Sequence, residues 1–453
     1  MNIIIAGGGR VGSTLARHLA AEGYNVTVID VDQNVLEKCV EKYDVMAAVG
    51  NCAAMSVLGE AGVRSADLLL AVTGEDEINL LCCTTAYAMN PHLHTIARIR
   101  NPEYTDQIHE MRSVFGLSMT VNPERQAAVE IERLLKYPGF LRRDTFAKGR
   151  AEIVELRIDE NSPLAGVTLA AMNGVVKCKV LVCAILRNGK AIPPKGGCKL
   201  LEGDRIFVTA PTEVLTVLLK NLGVITRRAR RIIICGGGTI GYYLAKSLQK
   251  SGVSVQLVEK DPVRCEELAR LLPKTQILLG DRPSGSILET DKLSDYDAFI
   301  ALTGSDELNM IFSLYSASRG VPQVITKLGG TTYNQSLIDE LSLGSVICPR
   351  DLCCNDIVRY VRALENQSGA ALSVHSIADG QVEAVEFLVD ENTRNSGIPL
   401  KDLQLRDDVL VASIIHGSTA EIPNGDSKFA VGDTVVVVTS GDEIVRQLND
   451  IFA

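Results

Sequence analysis

Short apolar runs alternate with amphipathic stretches along the first third of the chain. Residues 2–6 carry Ile3, Ile4, Ile5 and Ala6 in unbroken succession. That is the signature of a strand buried on both faces, as in a parallel sheet covered by helices. Residues 10–22 then place Val11, Leu15 and Leu19 on one helical stripe, which Gly23 closes. Apolar runs at 25–29, 44–49, 68–72 and 94–99 predict four more strands, with helices predicted at 33–42 and 75–89. Asn122 as N-cap and Pro123 at the first helical position open a further helix to about residue 136. Strands alternating with helices in this way predict a doubly wound parallel sheet. Past Tyr137, Pro138 and Gly139 the period changes. Runs at 151–158, 180–186 and 205–209, separated by turn residues, predict a small β-rich lobe.

The whole programme then repeats. Apolar runs at 231–235, 255–258, 276–279 and 298–302 match the first four strands, and the β-rich pattern returns after about residue 367. The expected architecture is therefore α/β: two Rossmann-like doubly wound sheets, each followed by a small β-rich α+β lobe. Its boundaries fall at 1–137, 138–224, 225–366 and 367–453.

The candidate chemistry sits directly after the first strand of each sheet. Gly7, Gly8, Gly9, Arg10, Val11 and Gly12 form one glycine-rich turn, and Gly236, Gly237, Gly238, Thr239, Ile240 and Gly241 form the other. An acid stands 23 positions after the first glycine of each, Asp30 and Glu259. In such a strand–turn–helix the first glycine makes the tight turn. The second admits a phosphate close to the backbone, and the third lets helix and strand pack. The acid at the end of the second strand accepts hydrogen bonds from ribose hydroxyls. Asn51, Thr73 and Arg98 also fall at predicted strand ends, where open α/β sheets bind their ligands. An acid at a buried strand end needs a partner to offset its desolvation, which argues against a turn that merely packs. Asp30 and Glu259 favour a free 2′-hydroxyl over a 2′-phosphate, hence NAD(H) over NADP(H), but do not separate NAD(H) from ATP or ADP.

Composition narrows the function. The net charge of −9 argues against a nucleic-acid partner, and the one basic run, 227–231, reads as a solvated linker. No run approaches the ~18 apolar residues of a membrane span, and no secretory leader precedes the first strand. The twelve cysteines form no C-x-x-C, so they read as buried reduced thiols, with no metal site expected. None of the six histidines recurs at equivalent places in the two halves, so no catalytic acid/base group is expected.

The duplicated unit resembles the tandem RCK/KTN-domain regulators of Trk-type potassium uptake. The resemblance covers essentially the whole chain and rests on the glycine turns, Val28–Asp32, the segment from Thr73 to Asn79, and the segment from Ile96 to Pro102. In the second copy, Leu257–Asp261 and the segment from Leu302 to Asn309 carry it. It implies a cytoplasmic protein without chemistry of its own, peripheral to the inner face of the plasma membrane. Such a protein binds NAD(H) and/or ATP/ADP and regulates an integral-membrane potassium-conducting subunit of Trk type. It also implies a homotetramer forming a ring of eight RCK modules. Carried onto this chain, the resemblance puts Gly7 to Gly12 on the phosphates, Asp30 on ribose, Asn51 and Cys52 along the base, and Thr73 and Gly74 at the pocket's edge. Arg98 and Arg100 would serve the phosphates. The second site would use the turn from Gly236 to Gly241, Glu259, Gly280, Asp281, Thr303, Gly304 and Lys327. Two rivals stay open on the residues alone. An NAD-dependent oxidoreductase explains the glycine turns equally well but requires an acid/base group in its substrate domain. A nucleotide-sensing scaffold for another partner also fits.

Overall fold

The computed structural model describes residues 1–136, 140–160, 162–223, 229–280, 293–329, 341, 343–364, 371–440, 445 and 447–453. Asp281, the turn at 137–139, and Arg227 and Arg228 of the basic run lie outside the described residues.

The first sheet contains β1 (Asn2–Ala6), β2 (Asn25–Asp30), β3 (Met46–Val49), β4 (Leu68–Ala71), β5 (His94–Arg98) and β6 (Met119–Val121). Its strands are all parallel, in the order β3-β2-β1-β4-β5-β6. The order reverses between β1 and β4, which opens a crevice beyond their carboxyl ends. β1 and β4 are buried on both faces, whereas the edge strand β3 exposes Met46 and Val49.

The first lobe is an antiparallel sheet of β7 (Arg142–Phe146), β8 (Ala151–Arg157), β9 (Leu181–Arg187), β10 (Lys190–Ile192) and β11 (Arg205–Ala210), ordered β10-β9-β11-β8-β7. The second half repeats the parallel sheet in β12 (Arg231–Cys235), β13 (Ser254–Glu259), β14 (Gln276–Leu279), β15 (Ala298–Ala301), β16 (Gln323–Lys327) and β17 (Ser345–Ile347). Their order, β14-β13-β12-β15-β16-β17, is the same as in the first sheet. The second lobe follows with β18 (Ala371–Ile377), β19 (Val382–Leu388), β20 (Val409–His416), β21 (Thr419–Glu421) and β22 (Thr434–Thr439), ordered β18-β19-β22-β20-β21. The two Rossmann-like sheets, each followed by an antiparallel lobe, are the architecture the hydrophobic pattern predicts.

The pattern does not predict β6, β7 or the helices Met55–Glu60 and Pro102–Met111. β7 is hidden by its charges: Arg142, Arg143 and Asp144 stand in succession. In the fold these charges are paired, Arg142 with Asp144 at 3.0 Å and Arg143 with Glu152 at 2.6 Å. The helix Pro102–Met111 is short, but Asn101 caps it by accepting from the Glu103 N–H at 3.0 Å.

The chain forms two compact units. One holds Met1–Ala127 with Cys348–Tyr360, so part of the helix Pro349–Leu364 sits with the first sheet. There His94 Nδ1 lies 3.1 Å from the Tyr360 hydroxyl, and the Gln126 amide donates to Asp356. The other unit holds Ala128–Ile347 and Val361–Ala453, and therefore both lobes. In it the helix that begins at Pro123 reaches the second sheet: Gln323 donates to the Leu134 carbonyl at 2.8 Å. The two lobes share one core, with Phe146, Ile153 and Phe207 packed among Ile377, Ala384 and Val438.

Matching registers relate the lobes residue by residue. Asp144 opposes Ile153 in one sheet as His375 opposes Ala384 in the other, so the two residues hold equivalent places. They meet: His375 Nδ1 lies 3.0 Å from Asp144 Oδ1, and the His375 ring stands edge-on to Phe146 at 4.6 Å. Burial opposes ionisation of Asp144, but Arg142 and His375 outweigh it and hold the carboxyl below its ordinary range.

Candidate functional site

β1 ends in the first glycine turn, and each glycine there has its own geometry. Gly7 has φ +104°, and its N–H donates to the Ile29 carbonyl at 2.8 Å. A Cβ on Gly7 would lie 3.0 Å from the Thr73 backbone, and one on Gly12 would lie 1.8 Å from the Gly7 carbonyl oxygen. Both glycines are therefore demanded by the fold itself. Gly9 is different, because its φ is −62° and a Cβ built on it meets nothing within 4 Å. Gly9 opens the helix Arg10–Ala21, which has no side-chain cap and no acid in its first turn. Its free N–H groups point beyond the end of β1, an arrangement suited to an anion. The Arg10 side chain is exposed.

Asp30 closes β2 and is only half-buried. Its Oδ2 accepts from the Gly8 N–H at 2.7 Å and its Oδ1 from the Asp32 N–H at 2.9 Å. The carboxylate thus finds its partners in backbone N–H groups of the glycine turn and of the residues just past its own strand, which corrects the expectation that it needs a ligand to offset desolvation. The neighbouring turn carries Asn51, exposed, with its side-chain oxygen on the Ala53 N–H at 3.0 Å. Cys52 is buried beside it. A hydrogen bond with Cys82 draws the Cys52 thiol below its ordinary range, while the same bond, then burial, pushes Cys82 up.

The far wall is built on Asn79, buried completely in the helix Asp76–Met89. Its Oδ1 accepts from the Thr73 N–H at 2.8 Å and the Thr73 hydroxyl at 2.7 Å, and its Nδ2 donates to the Arg98 carbonyl at 2.9 Å. One side chain thereby ties the ends of β4 and β5 together. Gly74 has open space at its Cβ position. Arg98 pairs with Glu124 at 2.9 Å, and its Nε is buried with no hydrogen-bond partner. Arg100 reaches Asp76 at 3.4 Å and the Gly74 carbonyl. Both guanidinium groups border the strand ends already engaged.

The second half reproduces this arrangement. Gly236 has φ +117°, a Cβ on Gly241 would lie 2.2 Å from the Gly236 oxygen, and a Cβ on Gly238 meets nothing within 4 Å. Gly237 donates its N–H to Glu259 Oε2 at 2.7 Å. The helix Thr239–Lys250 is likewise uncapped by a side chain, so Thr239, Ile240 and Gly241 present a bare first turn. Gly280 follows β14 with its N–H on the Glu259 carbonyl at 2.8 Å. Asn309 holds Thr303 at 2.7 and 2.8 Å and the Lys327 carbonyl at 3.0 Å, and Gly304 is open at its Cβ position. Here the cations are Lys327, whose Nζ donates to the Thr303 carbonyl at 2.6 Å, and Arg264, whose Nε donates to the Gly237 carbonyl at 2.9 Å.

Asn79 and Asn309 are the residues that sequence reasoning passed over as site-builders. Each stands six residues after its threonine, and that repeated spacing was the available signal. The cysteines also differ in part from expectation. All twelve are free thiols, but Cys178, Cys198, Cys265 and Cys348 are only partly buried. Among the described residues no cluster of His, Cys, Asp and Glu could hold a metal ion, and no helix is long and apolar enough to cross a membrane.

Comparison with known proteins adds a lineage to this geometry. The TrkA-N domain pattern matches residues 3–123 and 232–349, and the TrkA-C domain pattern matches 153–223 and 384–453. A Trk system potassium uptake protein TrkA homolog of Archaeoglobus fulgidus is 34% identical over 452 residues, covering 100% of each chain. The Trk system potassium uptake protein TrkA of Haemophilus influenzae is 30% identical over 463 residues, covering 100% of this chain and 98% of its own. Among solved structures, the GsuK channel bound to NAD superposes with a TM-score of 0.59 at 17% identity, covering 97% of this chain and 77% of that one. At that identity the likeness establishes the fold.

Proposed function

The chain belongs to the TrkA family of Trk-system potassium-uptake proteins, and from that premise we propose that it is a nucleotide-binding regulatory subunit gating a membrane potassium-conducting partner of Trk type. The observation that carries the nucleotide half of this reading is the behaviour of Gly9 and Gly238. Of the other glycines in the two turns, Gly7, Gly12, Gly236 and Gly241 answer to positive φ or to a close backbone contact, and Gly8 and Gly237 to side chains, Val35 at 2.8 Å and Leu268 at 2.5 Å from an added Cβ. Gly9 and Gly238 answer to none of these, and each opens an uncapped helix beside a ribose-type acid. A phosphate close to the backbone accounts for them. The GsuK neighbour, bound to NAD on the same fold, supports a dinucleotide, and Asp30 and Glu259 favour NAD(H) over NADP(H). ATP and ADP present the same ribose hydroxyls and are the competing ligands.

On this reading the chain is four domains, 1–137, 138–224, 225–366 and 367–453, and four copies close a ring of eight modules at the inner face of the membrane. Moving a two-state ring from 1:99 to 99:1 takes about 5.5 kcal/mol of differential binding, about 0.7 kcal/mol at each of eight sites. No site need hold one state strongly. A dehydrogenase reading is weaker, because each sheet is followed by an antiparallel lobe, the first lobe has no histidine, and the buried His375 of the second is engaged with Asp144 and Phe146 of the first.

The test is calorimetric titration of Gly9→Ala and Gly238→Ala with NADH, ATP and ADP. Each variant should fold as the parent does, since its new methyl meets open space, and should lose affinity at its own site. Unchanged affinity at both sites would reduce the glycine turns to packing devices. Reconstituted potassium flux through a Trk-type partner, with and without nucleotide, tests the gating half.

A further inference from the structure

The lobe pair is pseudo-symmetric, and its two ends are finished differently. At one end Ile422, just past β21, is buried in the first lobe's core beside Val180. There Lys179 Nζ donates to the Ile422 carbonyl at 2.7 Å. The hairpin registers place Pro193 where Ile422 stands, since Ile192 faces Ile185 as Glu421 faces Ile414. The β9 and β20 registers likewise place Asp408 where Lys179 stands. At the other end, therefore, a branched aliphatic side chain and an ammonium are both missing. What is found instead is a cavity of about 160 Å³.

The walls of this cavity are apolar, with Ile192, Val382, Leu410 and Val438 among them. Its rim carries charge. Asp408 is neutralised by Arg406 at 2.7 Å and accepts from the Thr439 hydroxyl at 3.1 Å. The side chains of Asp407 and Lys195 make no hydrogen bond or ion pair with any described residue, and both line the same cavity. A single unpaired carboxylate and a single unpaired ammonium over an apolar pocket complement a zwitterion with an aliphatic tail. An apolar cavity of about 150 Å³ admits a benzene-sized group, and a branched four-carbon side chain is of comparable bulk. The occupied end of the same interface shows that such a group packs there, because Ile422 supplies one.

We propose that the interlobe cavity is a binding site for a branched aliphatic α-amino acid. Its ammonium is taken by Asp407, its carboxylate by Lys195, and its side chain lies among Ile192, Val382, Leu410 and Val438. The site lies in the antiparallel lobes and uses no residue of either glycine turn. The ligand fills the gap that Ile422 fills at the opposite end and so stiffens the lobe pair.

The experiment is calorimetric titration of the full chain, free of nucleotide, with L-leucine. Glycine, 4-methylpentanoate and isopentylamine are titrated in parallel as ligands lacking the side chain, the ammonium and the carboxylate. Saturable L-leucine binding is expected, weakened about tenfold or more by Asp407→Asn and by Lys195→Met, the scale of one charged hydrogen bond. Each truncated ligand should bind about tenfold or more weakly than L-leucine for the same reason. Both substitutions are of exposed side chains and leave the core intact. Absence of saturable L-leucine binding up to about 10 mM, weaker than the millimolar range of the least specific sites, would overturn the proposal. So would undiminished affinity in both variants, or isopentylamine binding as tightly as L-leucine.

Discussion

Asp30 carries two duties that one carboxylate can hold at once. It anchors the glycine turn through the Gly8 N–H and, on the proposed reading, offers its remaining lone pairs to ribose. Asp30→Ala should weaken nucleotide binding at the first site by about 1.5–3 kcal/mol, the range of a hydrogen bond to a charged group. A titration that resolves that site and returns parental affinity would remove Asp30 from ribose binding. The cations of the two sites lead to a second expectation. Arg98 and Arg100, paired with Glu124 and Asp76, offer planar forks suited to phosphate, whereas Lys327, directed at the Thr303 carbonyl, offers a point charge. Arg98→Ala should therefore erode the difference between ATP and ADP in reconstituted potassium flux more than Lys327→Ala does. The reverse ranking would move phosphate sensing to the second half. The acids and glycines were legible in the sequence because their spacing is fixed along a single strand–turn–helix. The engagement of Arg98 with Glu124 was not, because it joins the end of β5 to a helix 26 residues on.

Among the elements, the helix that follows each glycine turn is packed hard against that turn. The carbonyl of Gly7 occupies the place where a Cβ on Gly12 would stand, and that of Gly236 does the same for Gly241. Gly12→Ala should cost about 1–3 kcal/mol or more of stability, the range for overpacking a filled interior. Gly9→Ala should cost far less, and comparing denaturant midpoints of the two variants checks it. Equal midpoints would mean that helix and strand part more easily than this contact implies. Strands and helices of the two sheets could be read from the chain because apolar runs and amphipathic periods announce them. β7 could not, since its strand is written in charged residues whose partners, such as Glu152, lie on another strand. The Asn79 tie was hidden for a related reason: a buried amide joining two strand ends leaves no periodic trace.

At the scale of the whole molecule, duplication was readable from recurring motifs, but the sharing of one core by the two lobes was not. That core depends on which apolar face meets which, and the faces of Ile153 and Ala384 look alike in sequence whether they meet each other or solvent. Asp144 supplies a way to probe it. Its carboxyl is held low in the fold, so its contribution is present above the ordinary carboxyl range and disappears as pH falls through its depressed native value. Denaturant midpoints followed from about pH 6 down to about pH 3 should fall, and Asp144→Asn should flatten that decline. An unaltered slope would assign the acid sensitivity to other carboxylates. The same contact also records what happened after the duplication. Two identical lobes meeting about a twofold axis would set aspartate against aspartate, or histidine against histidine. By holding an acid on one side and a base on the other, the chain has turned a handshake between equals into a plug and its socket. Its halves have lost the freedom to trade places.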